Sequence, residues 1–257
     1  MGSAWRHSRV FVCAAVSIAL LFVRRRTHGF CSERGQDQWV RHHLLWGQAS
    51  GFFVEFGARD GLEHSNTAYF ERSLGWRGLC IEPLESEFRA LQVNRPQCRC
   101  VHGAISTRRA LQDFVVVDGK LGWNGFWETM TPHRQRQLIK LNRSGEVRLR
   151  TIRTQTYELG QLLRESQPAA TAPHVDLLSI DTEGSELSVL MTLDFSAITA
   201  DVVQVEKNSD KEAIDELMRR QGYRQRRDAQ LQDSIYVRRG FSPREKPWWL
   251  VRCLPYC

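Results

Sequence analysis

The chain of 257 residues has no paired CxxC spacing, no GxGxxG, no internal repeat, no low-complexity stretch and no apolar run of eighteen residues. Each absence closes a class. Without CxxC pairs the seven cysteines do not form a structural zinc set, and no metal is expected. Without repeats a solenoid is excluded, and without a long apolar run any membrane anchor must be a short one. Acids are missing from residues 1–32, which hold five arginines, so the formal charge of +7 falls to +2 for the remainder. That remainder has basic clusters over 134–153 and 219–227, read as solvated faces. No interleaved aromatic and basic pattern of the kind that stacks bases is present, so no nucleic-acid partner is expected.

What the first residues do contain is "VFVCAAVSIALLFV", Val10 to Val23, between Arg6 and Arg9 on one side and Arg24, Arg25 and Arg26 on the other. As a helix these residues span about 21 Å, short of the roughly 30 Å hydrocarbon layer, with snorkelling arginines making up part of the difference. Residues 1–32 are therefore expected to be a short signal anchor, giving a single-pass protein of the endomembrane system (ER or Golgi). A cleaved signal peptide of a secreted protein and a mitochondrial presequence are the competing expectations. Three arginines directly after the run are poor surroundings for cleavage. The sequon Asn142-Arg143-Ser144 is usable only in a lumenal domain, where Cys31, Cys253 and Cys257 would be the disulfide candidates. Cys80 and Cys98 lie in apolar strand-like runs and read as small hydrophobes.

From residue 33 to 240 strand-like and helix-like segments alternate, the pattern of a mostly parallel α/β sheet. "GFFVEFG", "WRGLCIEP", "CRCVHGAIS", "VDLLSID" and "DVVQVEK" read as strands, with amphipathic helices between them. Residues 113–153 read as an insertion with strands at "DFVVVDG" and "EVRLRTIR". "YRQRRD" and "DSIYVRR" are expected to pair antiparallel, and residues 241–257 are expected to form an apolar and basic tail over the core, with contact to a membrane as the alternative.

In an open α/β sheet the ligand sits beyond the carboxyl ends of the strands. "FVEFGARDG", Phe53 to Gly61, is the turn at the end of the first strand, and Glu82 ends the second, twenty-one residues after Gly61. An acid at about that spacing reads a ribose diol. A pyrophosphate-binding turn needs a glycine where this chain has Arg59, which argues against a nicotinamide-dependent oxidoreductase. S-adenosylmethionine has the same adenosine without the pyrophosphate and is net positive. Glu55, Asp60, Glu82 and Asp181 match its charge.

The runs "GFFVEFGARDGLEHSNTAYFERSLGWRGLCIEP" and "VDLLSIDTEGSELSVL" resemble the FkbM family of S-adenosylmethionine-dependent methyltransferases, over about Gln36 to Arg239. The resemblance implies a Rossmann-like class I methyltransferase fold, a mostly parallel seven-stranded sheet with an antiparallel last strand, flanked by helices. It also implies methyl transfer to a hydroxyl acceptor, a small molecule or a glycan. Carried over by motif, Gly57, Ala58, Asp60 and Gly61 line the cofactor turn, Glu55 is a cofactor-binding acid beside them, and Glu82 holds the ribose. Ala104 and Ile105 flank the adenine. Asp181, Glu183 and His64 are the candidate bases for the acceptor hydroxyl. A membrane-anchored binding or trafficking protein that keeps the fold without the catalysis is the alternative.

Overall fold

The computed structural model describes residues 29–120, 123–168, 172–182, 184–206, 210–229 and 231–247. The apolar run Val10–Val23, Glu183, Cys253, Cys257 and most of the tail lie outside them. Among the described residues no helix is long and apolar enough to cross a membrane.

The alternation of apolar strands with amphipathic helices folds as its period dictates. Helix α1 (Gln36–His43) leads into β1 (Phe52–Phe56), followed by α2 (Ala68–Leu74), β2 (Arg77–Glu82), α3 (Glu85–Asn94) and β3 (Cys98–His102). Beyond the middle segment come α5 (Leu159–Ser166), β7 (His174–Ile180), α6 (Glu186–Met191), β8 (Thr199–Val205), α7 (Lys211–Arg220), β9 (Tyr223–Gln225) and β10 (Ser234–Arg238). These seven strands form one sheet in the order β3-β2-β1-β7-β8-β10-β9. The first five run parallel, and β10 is antiparallel to β8 and β9. The sequence expectation of a mostly parallel seven-stranded sheet with an antiparallel final strand is met. Between β1 and β7 the chain order reverses, which opens a crevice at the carboxyl ends of those strands.

Strand alternation sends successive side chains to opposite faces, and each face has its own core. Val54, Leu79, Leu178 and Val203 pack with Leu163, Leu190 and Met218. Phe53, Cys80, Leu177 and Val202 pack with Val40, Phe70 and Leu91 on the other side.

The middle segment is a separate three-stranded sheet in the order β4-β6-β5. Strands β5 (Ala110–Asp118) and β6 (Arg148–Tyr157) form a long antiparallel pair, while the short β4 (Ala104–Ile105) runs parallel to β6. A 3-10 turn (Trp127–Thr129) and α4 (Pro132–Ser144) lie between β5 and β6. Helix α4 begins where Thr131 accepts a hydrogen bond from Arg134 N and Pro132 supplies a preset φ; it stops at Gly145 with φ 78°. Its basic side faces solvent together with β6, where Arg150 pairs with Asp118 and Arg153 with Asp113 on exposed surface.

Candidate functional site

Where β1 ends, the chain must turn sharply under the end of β2. Gly57 takes φ 71°, and the amides of Gly57 and Ala58 both donate to Ile81 O, at 3.1 and 3.2 Å. A β-carbon at Gly57 would stand 1.9 Å from the carbonyl oxygen of Asp181, so only glycine lets the turn lie this close to the end of β7. Arg59 follows with φ 48°, which points its amide at Glu82 Oε2, 2.9 Å away. Asp60 closes the turn by accepting from the amides of Leu62 and Glu63, both at 2.9 Å.

The turn is held from behind by a buried ion-pair hub. Glu55 accepts from Ser65 Oγ, Asn66 N and Thr67 Oγ1, and from Arg95 Nη1 at 3.1 Å. Arg95, fully buried, also donates to Glu71 Oε2 at 2.6 Å and to Gly61 O at 3.2 Å. A buried charge is tolerable only when paired and hydrogen-bonded on all sides, and each carboxylate here has that.

Beyond the turn lies a cavity of about 370 Å³, within the range of small-molecule sites. Six of the sequence-predicted residues with described surroundings line its cofactor side: Glu55, Gly57, Ala58, Glu82, Ala104 and Ile105. His64 and Asp181 line it as well. Asp60 and Gly61 do not. The carboxylate of Asp60 serves its own turn, and Gly61 packs toward Arg95, whose Cγ would lie 2.6 Å from an added β-carbon. Glu55 reaches the wall, but its oxygens are engaged by the hub, so its contribution is to hold the turn. His64 is exposed at the rim with φ 64°. Glu183 lies outside the described residues.

Two acids in the cavity differ in what they offer. Glu82 is buried, and each of its oxygens receives one backbone amide, Oε1 from Leu84 and Oε2 from Arg59. A carboxylate oxygen has two lone-pair sites, so both oxygens keep capacity for a ligand donor. Burial pushes the Glu82 carboxyl up to about 7. Asp181 is raised well above the usual carboxylate range, first by burial and then by Glu206, with which it shares a side-chain hydrogen bond. Glu186, by contrast, uses its carboxylate to accept from the amides of Thr182 and Gly184, and so builds the turn after β7.

Sequence reasoning missed part of the wall. Asn66 is buried in it, donates to Ser179 Oγ at 3.2 Å and leaves Oδ1 without a hydrogen-bond partner. Glu206 and Asp233 also line the cavity. The rule that found Glu82 and Asp181, an acid at a strand's carboxyl end, applies equally to Glu206. The insertion supplies a further side: Phe114 and Phe126 meet edge to face with centroids 5.2 Å apart, and Thr129 Oγ1 lies 2.7 Å from Ser185 Oγ. No local signal marks those residues, because tertiary packing brings them there.

These residues fit S-adenosylmethionine. Glu82 has spare acceptor capacity for ribose hydroxyls, Gly57 leaves room at the turn, and the orphaned Asn66 oxygen with Asp181 suits a cationic group. Ala104 and Ile105 give the cavity an apolar wall.

Comparison with solved structures finds similarity to a TehB-like SAM-dependent methyltransferase from Corynebacterium glutamicum ATCC 13032 Kitasato, at 9% identity over 91% of this chain and 98% of that chain, TM-score 0.40. A precorrin-6y C5,15-methyltransferase from Geobacter metallireducens GS-15 is similar at 8% identity over 79% of this chain and 83% of that one, TM-score 0.38. A fibrillarin/Nop5p complex has a chain similar at 8% identity over 78% and 77%, TM-score 0.38. No curated protein matches the chain. The family model for the methyltransferase FkbM domain matches residues 55–225, from the acid behind the glycine turn to the last residue of β9. That span is more than half of the sequence and includes the turn, Glu82, Asp181 and the insertion, so the chain belongs to the FkbM methyltransferase family.

Proposed function

We propose that the protein transfers the methyl group of S-adenosylmethionine to a hydroxyl of a polar acceptor such as a sugar. The observation that carries this is the division of acids in one cavity. Glu82 keeps free acceptor capacity beside the glycine turn, while Asp181 and Glu206 share a hydrogen bond at the ends of β7 and β8. The cofactor, when bound, supplies an electrophilic methyl on a sulfonium leaving group.

The protein's own work is to align and to take a proton. Gly57, Ala58 and Glu82 hold the donor, Ala104 and Ile105 confine the adenine, and the insertion residues Phe114 and Phe126 close the far side. The proton of the acceptor hydroxyl would pass to the ionised oxygen of the Asp181–Glu206 pair, with the methyl group supplied by the bound cofactor. Burial makes that singly ionised pair a stronger base than an exposed carboxylate. Alignment supplies most of the acceleration. His64 at the rim is the other described candidate for the acceptor side.

Anchoring by residues 10–23 in the endomembrane system belongs to this proposal. Its support is the apolar run between arginines, together with a sequon whose Asn142 is exposed.

The test is calorimetric binding of S-adenosylmethionine and S-adenosylhomocysteine to wild type and Glu82→Ala, followed by methyl transfer to a panel of sugars and small hydroxyl compounds by wild type and Asp181→Asn. Saturable binding lost in the first variant, and turnover lowered about 100-fold or more with binding retained in the second, support the assignment. A folded wild type that binds neither compound overturns it and leaves a non-catalytic scaffold.

A further inference from the structure

Three of the cysteines meet on one face of the sheet, away from the cavity. The register of β2 and β3 sets Gly78 opposite Cys98 and Cys80 opposite Cys100, so all three sulfurs project to the same side. The Phe53 ring fills the space over Gly78, and Cys98 Sγ lies 3.3 Å from Gly78 O and 2.6 Å from Cys80 Sγ. The sequence reads Cys80 and Cys98 as separate small hydrophobes in a core; the fold places them in contact.

We propose that Cys80 and Cys98 are a disulfide-forming pair. The two sulfurs need only about half an ångström of further approach to reach bonding distance. Cys98 is half-buried and Cys80 fully buried beside it. The oxidant is a disulfide of low molecular weight such as oxidised glutathione. One Cys thiolate attacks it and releases one thiol, and the second Cys thiolate displaces the other. The net change is two protein thiols and one disulfide giving the Cys80–Cys98 bond and two small thiols, with both electrons carried off by the reagent. Cys100 stays free. Its half-buried thiol is pushed down by a hydrogen bond to Cys98, which makes it the neighbour that a wrong pairing would capture.

The bond would close residues 80–98 into a loop holding Glu82, α3 and Arg95, the ribose side of the cavity and the cation of the hub. Such a link persists in an oxidising compartment and is reduced in the cytosol. It therefore bears on where the domain resides without depending on what it methylates.

The full-length chain is equilibrated across ratios of reduced to oxidised glutathione, alkylated and digested with trypsin. Cleavage after Arg99 separates Cys98 from Cys100, so peptide 78–89 joined to peptide 90–99 reports the proposed bond, and 78–89 joined to 100–108 the wrong one. The expected result is the first species, two mass units lighter than the sum of its reduced peptides, reversed by dithiothreitol and retained in Cys100→Ser. Wild type should gain several degrees of thermal midpoint on oxidation, and Cys98→Ser none. Complete alkylation of Cys80 and Cys98 in folded protein under oxidised glutathione overturns the proposal. So does a link from Cys80 to any other cysteine, or an equal thermal gain in Cys98→Ser.

Discussion

Gly57 lies so close to the carbonyl of Asp181 that a β-carbon built on it would stand 1.9 Å from the oxygen, while its φ of 71° already disfavours other residues. Gly57→Ala combines strain of about 1–3 kcal/mol with a backbone collision. Gly75, at φ 70° with nothing within 4 Å of its added β-carbon, is the matched control. Urea unfolding should show Gly75→Ala losing about 1 kcal/mol and Gly57→Ala clearly more. Equal losses would mean that the close approach of the two strand ends contributes nothing.

Glu82 sets a pH dependence with a definite sign. Burial raises its carboxyl from 4.5 to about 7. Between those values the unfolded chain ionises the residue and the folded chain does not. Its stabilising contribution is therefore full below pH 4.5 and is lost as the pH rises through 7. Glu82→Gln should flatten the stability profile across that window. Because the ionised form accepts ribose hydroxyls, wild-type affinity for S-adenosylmethionine should rise from pH 6 to pH 8 and that of Glu82→Gln should stay level. A rise of equal size in the variant would move the titration to another group.

Arg95→Met leaves Glu55 and Glu71 buried without their cation. Removal of one partner from such a pair destabilises by about 3–5 kcal/mol, to be read from guanidinium unfolding. The triple variant Arg95→Met, Glu55→Gln, Glu71→Gln should recover part of that loss, since it buries no uncompensated charge. A single variant as stable as wild type would show that the hub adds nothing.

At the opposite end of the sheet His174 lies 3.2 Å from Asp201 and 3.6 Å from Asp176. Hydrogen bonds to Asp176 and Asp201 raise the imidazole from 6.5 to about 10. Its contribution is full below pH 6.5 and is lost as the pH rises through 10. NMR should find the ring still protonated at pH 8. His174→Asn should be less stable than wild type at pH 7 and converge with it above pH 10, with cofactor binding unchanged. A ring that titrates near 6.5 would refute the pairing.

The parallel sheet, its switch point and the strand-end acids Glu82 and Asp181 were legible because each follows from a local pattern: apolar alternation, a glycine turn, an acid where a strand stops. Asp60 and Gly61 lie off the cavity wall for a related reason. Position in a motif does not say whether a carboxylate faces the ligand or its own turn, and Asp60 faces the turn. Arg95 was invisible, because its acidic partners stand 24 and 40 residues earlier and nothing near it in sequence announces a buried cation. The insertion's strands were read correctly, but that they wall the cavity through Phe114 and Phe126 depends on packing between two sheets.

The turn at residues 57–61 is spelled out early in the chain, yet the cation that neutralises the acid behind it is Arg95. During synthesis from the N-terminus, β1, the glycine turn, α2 and β2 all leave the ribosome while Glu55 and Glu71 still have no cation to bury against. The turn therefore lacks its buried cation until the second crossover is made. A chain ending at residue 94 should keep those two carboxylates in water and leave the turn open to protease.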